Sequence, residues 1–154
     1  IDEPLEWPEK LVLSKQKTID LKGKKVLLVE DEFNVRIMVT RILQRAGVDV
    51  ISAEDPVAAK SILKNVPEDW TMDLLLSDVI MPRGNGFELA RYVSKDYPST
   101  LVVLMTGYVD EETVPQSELE DGWLLLRKPF SSQELLVALH SQLGLSEETE
   151  SDVE

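Results

Sequence analysis

The chain contains no cysteine. A disulfide framework and a thiolate metal site are therefore both excluded, which fits a reducing, cytoplasmic setting. No apolar run approaches the ~20 residues that a membrane-spanning helix requires. No charged-then-apolar leader opens the sequence. It begins at Ile1 rather than Met, so a fragment or processed piece of a longer protein is expected. Basic residues are also scarce, with 16 Lys and Arg against 29 Asp and Glu, for a formal net charge of −13. Five of those acids lie in 145–154, which has no base, and the remainder still carries −8. Such a surface repels phosphate backbones, so direct binding of nucleic acid is excluded.

What is present is a core. Hydrophobic residues make up 43% of the 154, enough for one domain and too few for two of ordinary size. Residues 1–24 hold two prolines and balanced charge, and are expected to be a linker or N-terminal extension. Within them, Glu6–Leu13 has the character of a short strand or a docking segment. Residues 145–154 are low-complexity and acidic, and are expected to be disordered. The domain should occupy 25–144.

Within that span, apolar runs alternate with amphipathic stretches. Lys25–Val29, Val48–Ser52, Asp73–Ser77, Thr100–Met105 and Trp123–Leu126 read as strands. Asn34–Ala46 reads as a helix with Val35, Met38, Val39, Ile42 and Ala46 on one face and Gly47 as its stop. Asp55 and Pro56 are a cap and a first-turn proline for a helix reaching Asn65. Gly86–Lys95 is a third helix. Ser131–Leu143 is the last, with Ser131 and Glu134 at capping-box spacing and Gly144 beyond its end. Asp110–Glu120 should supply the remaining helix, but Pro115 interrupts it and five acids crowd it, so a short, distorted element is expected there. The pattern is (βα)5. Strands apolar on both faces, each followed by a helix, imply a five-stranded parallel sheet in a doubly wound α/β fold. Ligands in such folds sit at the carboxyl ends of the strands.

Those ends carry Glu30, Asp31 and Glu32 after the first strand and Asp78 after the third. Thr106 and Gly107 follow the fourth, and Lys128 and Pro129 the fifth. Clustered carboxylates raise one another's pKa values, and a hard divalent cation relieves that repulsion. Mg²⁺ takes oxygen ligands, needs only one or two carboxylates and leaves room for water and phosphate. Lys128 supplies a mobile positive charge and Thr106 a hydroxyl donor. Phosphoryl transfer asks for alignment and charge neutralisation, which these groups offer, and a carboxylate is a competent nucleophile.

Each residue also has a plain reading. Asp78 alone would be a turn or cap residue, Glu30 and Asp31 a solvated acidic turn, and Thr106-Gly107 an ordinary turn pair. His140, the one histidine, reads as a structural residue of the last helix. Trp123 reads as packing, while Trp7 and Trp70 suggest no function. Gly84 and Gly86 form a GxG without the rest of a dinucleotide fingerprint.

Taken together, VLLVEDE (26–32), LLLSDVIMPRGNGFEL (74–89), VVLMTGY (102–108) and LLRKPFSSQEL (125–135) resemble the receiver domains of two-component response regulators and hybrid histidine kinases. The resemblance covers about 24–144 and implies a flavodoxin-like receiver fold. It implies Asp78 as phosphoacceptor, with Mg²⁺ held by Asp31, Glu30, Asp78 and the backbone carbonyl of Ile80. Thr106 and Lys128 would bind phosphoryl oxygens, and Pro82 and Gly86 would shape the turn over the site. The Lys128–Pro129 bond would be cis. The implied partner is a histidine kinase or phosphotransfer protein carrying phosphohistidine. The domain would catalyse its own phosphorylation and slow dephosphorylation rather than turn over a substrate, as a monomer or weak homodimer. The expected parent is a hybrid sensor kinase ending in this receiver. Two departures stand out. Leu125 occupies the place of a switching aromatic in such domains, and Tyr108 is not at that position. Ile80 puts an apolar side chain where some members have a polar one. Competing readings are an aspartyl-phosphate phosphatase of the haloacid-dehalogenase type and a pseudo-receiver interaction module. The first would need an acid two residues past Asp78, where Ile80 stands. The intact set of Asp31, Asp78, Thr106 and Lys128 weighs against the second.

Overall fold

The computed structural model describes residues 19–107 and 122–144. Its elements are β1 (Lys25–Val29), α1 (Phe33–Arg45), β2 (Asp49–Ala53), α2 (Pro56–Asn65) and β3 (Leu74–Asp78), then a small hairpin of β4 (Ile80–Met81) and β5 (Gly84–Asn85). These are followed by α3 (Gly86–Asp96), β6 (Leu101–Thr106), β7 (Leu124–Arg127) and α4 (Ser132–Gln142). The expected helix in Asp110–Glu120 lies outside the described residues, as do Tyr108 and the tail.

Five strands form one parallel sheet in the order β2-β1-β3-β6-β7. Strand alternation sends successive side chains to opposite faces, and here both faces are buried. Leu27, Val29, Leu75, Val102 and Leu104 pack with Ala59, Leu63, Leu89 and Val93 of α2 and α3. Val26, Leu28, Leu74, Leu76, Val103 and Met105 pack with Val39, Leu43, Leu135 and Leu139 of α1 and α4. β3 lies at the centre and is buried along its whole length. The expected doubly wound sheet is the fold observed.

Side chains mark the starts of α2, α3 and α4. Asp55 accepts the Ala58 amide at 2.8 Å, and Asn85 accepts that of Glu88 at 2.8 Å. The expected capping box forms, with Glu134 N donating to Ser131 Oγ at 3.0 Å and Ser131 N donating to Glu134 Oε1 at 2.8 Å. Each such cap is worth about 1 kcal/mol. Gly47 (φ +94°) ends α1, where a β-carbon would meet Lys22 Cα at 2.7 Å.

Packing begins before β1. Leu21 is 1% exposed and lies in the core beneath α1 and α4, with Ile19 against it. Leu21 N donates to the Ala46 carbonyl, and Gly23 N to that of Gly47. The end of the segment expected as a linker thus closes the amino end of the sheet.

Candidate functional site

The strand order reverses between β1 and β3, which leave their carboxyl ends side by side. β1 delivers Glu30 and Asp31 there, and β3 delivers Asp78. Strand β3 runs one residue further than its apolar pattern suggested, so Asp78 is its last residue, in register with Met105 of β6. Thr106 likewise ends β6, in register with Arg127 of β7. Lys128 follows β7, and its backbone N–H donates to the Thr106 carbonyl at 2.7 Å. The Lys128–Pro129 peptide bond is cis, as expected.

Lys128 draws the carboxylates together. Its Nζ donates to Glu30 Oε1 at 2.9 Å and to Asp78 Oδ2 at 3.1 Å. Glu30 is 1% exposed and Asp78 7%. Glu30 Oε2 also accepts the Glu32 amide at 3.1 Å, and the Glu30 carbonyl accepts from Arg36 at 2.7 Å. Carboxylate oxygens of Glu30, Asp31 and Asp78 lie within 4.8 Å of one another. Burial pushes the Asp78 carboxyl up to about 6, helped by the charge of Glu30, while Lys128 opposes the shift. Burial works to lower the Lys128 ammonium, but hydrogen bonds and charge from Glu30 and Asp78 outweigh it and hold it above its ordinary value. The pocket is short of positive charge, since one ammonium faces three carboxylates.

A magnesium ion fits that donor set. Every side-chain donor is a hard carboxylate oxygen, Asp31 is exposed to solvent, and the ionised form of Asp78 is the one the pocket disfavours. Ile80, half exposed, stands in the hairpin that begins two residues past Asp78. The hairpin is held by Gly86 N donating to the Val79 carbonyl at 2.7 Å and by Arg83 against Asp55 at 3.5 Å. A β-carbon on Gly86 would lie 2.3 Å from the Asp78 carbonyl oxygen, so glycine lets α3 start directly against the end of β3.

Glu30, Asp31, Asp78 and Lys128 therefore meet in one pocket, with Thr106 buried at the end of the adjoining strand. Leu125, at the place of the switching aromatic, is half-buried against the core beneath α2 and α3. Two supports were not anticipated, Arg36 beneath Glu30 and the Arg83–Asp55 contact. Neither has a sequence signal, because each depends on how a loop folds back rather than on a periodic position.

The family model for the response regulator receiver domain matches residues 26–140. The sensor kinase CckA of Brucella abortus (strain 2308) is 33% identical over 143 residues, which are 92% of this chain and 15% of the kinase. The response regulator receiver protein CpdR of the same organism is 29% identical over 120 residues, 78% of this chain and 97% of that protein. The chain thus spans a small part of one relative and nearly all of the other. Among solved structures, the chemotaxis response regulator CheY4 of Vibrio cholerae superposes with a TM-score of 0.65 at 32% identity, covering 77% of this chain and 98% of that one. The receiver domain of the hybrid histidine kinase CckA gives 0.61 at 31% identity, with 77% and 98% covered. Among the described residues, no helix is long and apolar enough to cross a membrane.

Proposed function

Because the chain belongs to the response regulator receiver domain family of two-component signalling, we propose that it takes a phosphoryl group onto Asp78 from the phosphohistidine of a partner kinase or phosphotransfer protein. The observation that carries this reading is the position of Asp78. It is a buried strand-end carboxylate within 3.1 Å of the Lys128 ammonium and beside two further acids.

One Asp78 carboxylate oxygen attacks phosphorus. The O–P bond forms as the P–N bond to the donor imidazole breaks, and the imidazole nitrogen keeps the electron pair. Lys128 is tethered to Glu30, so its ammonium stays at the site while its bond to Asp78 is exchanged for one to a phosphoryl oxygen. Thr106, buried at the end of β6, would donate its hydroxyl to another oxygen. Glu30, Asp31, Asp78 and the Ile80 carbonyl would hold Mg²⁺, which when bound neutralises the carboxylates and the incoming phosphoryl charge.

The match to part of a sensor kinase favours a parent chain in which this receiver is one segment, and a chain without cysteine suits a reducing cytoplasm. The test is incubation with Mg²⁺ and a small acyl phosphate, or an authentic phosphohistidine donor, followed by intact mass. One added phosphoryl group on the wild type and none on Asp78→Asn is the expected result. No addition from either donor would defeat the reading.

A further inference from the structure

In a chain of net charge −13, α1 is an exception. Phe33–Arg45 carries Arg36, Arg41 and Arg45 and no acid. Arg36 is engaged, donating to the Glu30 carbonyl and lying 5.5 Å over the Phe33 ring. Arg41 and Arg45 are exposed, and among the described residues neither has an ion-pair partner. Phe33 is 63% exposed and Met38 46%. Phe33, Ile37, Met38, Arg41, Ile42 and Arg45 follow one another along a shallow, open groove on a single face of this helix. The groove offers apolar surface at one end and uncompensated positive charge at the other.

Two stretches outside the described part have matching chemistry, 109–121 with six acids and 145–154 with five, both without a base, and the second follows α4, which shares a core with α1. Residues 145–154, outside the described part, hold Glu147, Glu148, Glu150, Asp152 and Glu154 with no base, together with Leu145 and Val153. The point from which they leave is set by α4. Gln142 Nε2 donates to the Val102 carbonyl in the first half of β6, so α4 finishes at the amino end of the sheet. Helix α1 finishes at that same end, just before β2 opens at Asp49. The two helices share one core through Val39, Leu43, Leu135 and Leu139. Arg45, the last residue of α1, therefore lies at the end of the sheet from which a chain leaving Gly144 departs. Ten extended residues reach ~33 Å, and the 13 residues of α1 run for ~20 Å, so the segment is long enough to follow the whole groove.

We propose that residues 145–154 dock along α1, with their carboxylates on Arg41 and Arg45, covering the basic face that a partner would otherwise meet. The docking is intramolecular and electrostatic, so salt weakens it. The test is amide NMR on the full chain, comparing wild type with a variant in which the five tail acids become amides (E147Q, E148Q, E150Q, D152N, E154Q). Amide resonances of α1 shift in the variant, the same resonances move the same way in wild type at high salt, and Arg41→Gln with Arg45→Gln shifts the tail resonances. All of these are unchanged over about a tenfold range of protein concentration, as mass action requires of an intramolecular contact. Unmoved α1 resonances on neutralising the tail overturn the proposal. Shifts that grow with concentration overturn it too, in favour of a second copy on the groove, as does a response of α1 only when an acidic partner is added.

Discussion

Lys128 Nζ lies between Glu30 and Asp78, 2.9 Å from one carboxylate and 3.1 Å from the other, although Glu30 precedes it by 98 residues. The bridge offsets a repulsion that the fold itself creates. Lys128→Met keeps most of the side-chain stem and removes the charge. In metal-free buffer near neutral pH it should lower stability by about 2–4 kcal/mol, as expected for carboxylates left unpaired in a buried site. The loss should shrink in acid, where Asp78 takes a proton, and Mg²⁺ should restore part of it. Urea unfolding at two pH values checks this, because an equal loss at both would mean that packing rather than charge is at stake.

Asp78 gives a pH dependence of defined sign. Its carboxyl is raised from 3.8 to about 6 by burial and then by Glu30. The folded state therefore holds this proton more tightly than the unfolded chain does. The resulting stability is complete below pH 3.8 and is lost as pH rises through about 6. Asp78→Asn should be more stable than wild type above that value by about 1–3 kcal/mol, with the gap closing as pH falls towards 4. Metal-free thermal unfolding across this range measures it, and a gap that does not vary with pH would count against the assignment.

Gly86→Ala should cost about 2–3 kcal/mol, the range for a forced overlap between packed elements. The new methyl would meet the Asp78 carbonyl oxygen at 2.3 Å and Val79 Cα at 3.1 Å, and both belong to backbone. Gly107→Ala is the control, since nothing lies within 4 Å of its added carbon. Chemical denaturation compares the two, and the Gly86 variant should also accept the phosphoryl group more slowly in the mass assay.

Ile80 stands half-exposed in the hairpin that follows Asp78 and offers no polar atom from its side chain. A hydrolytic water beside the acyl phosphate would find no hydrogen bond there. Ile80→Asn should shorten the acyl-phosphate lifetime while leaving its formation intact. The decay of the phosphorylated mass after donor removal measures it, and equal lifetimes in the two proteins would dismiss the idea.

The starts of α2 and α4 were legible because capping is local. Asp55 and Ser131 announce α2 and α4 through hydrogen bonds spanning three residues. Strand ends were less so. β3 is buried on both faces, so its sequence has no alternation to show where it stops, and it runs to Asp78 rather than to Ser77. Asp73, expected inside the strand, instead precedes it and accepts the Lys25 amide at 2.8 Å. At the site, the residue types at the ends of β1, β3, β6 and β7 could be read directly, because a parallel sheet gathers those ends. Glu30 as the anchor of Lys128, and Arg36 beneath it, could not be read, since these contacts depend on side-chain directions across loops. Leu21 was obscured for a related reason, because one apolar residue among lysines has no periodicity to mark it as core.

Among the described residues, the central sheet divides the interior into two cores that share no helix, one beneath α1 and α4 and the other beneath α2 and α3. Substitutions confined to opposite sides should add in free energy, since no described side chain is packed in both. Such a layout lets one flank diversify to suit a new protein neighbour while the other keeps its packing, with the carboxylate pocket on the rim between them left as it was.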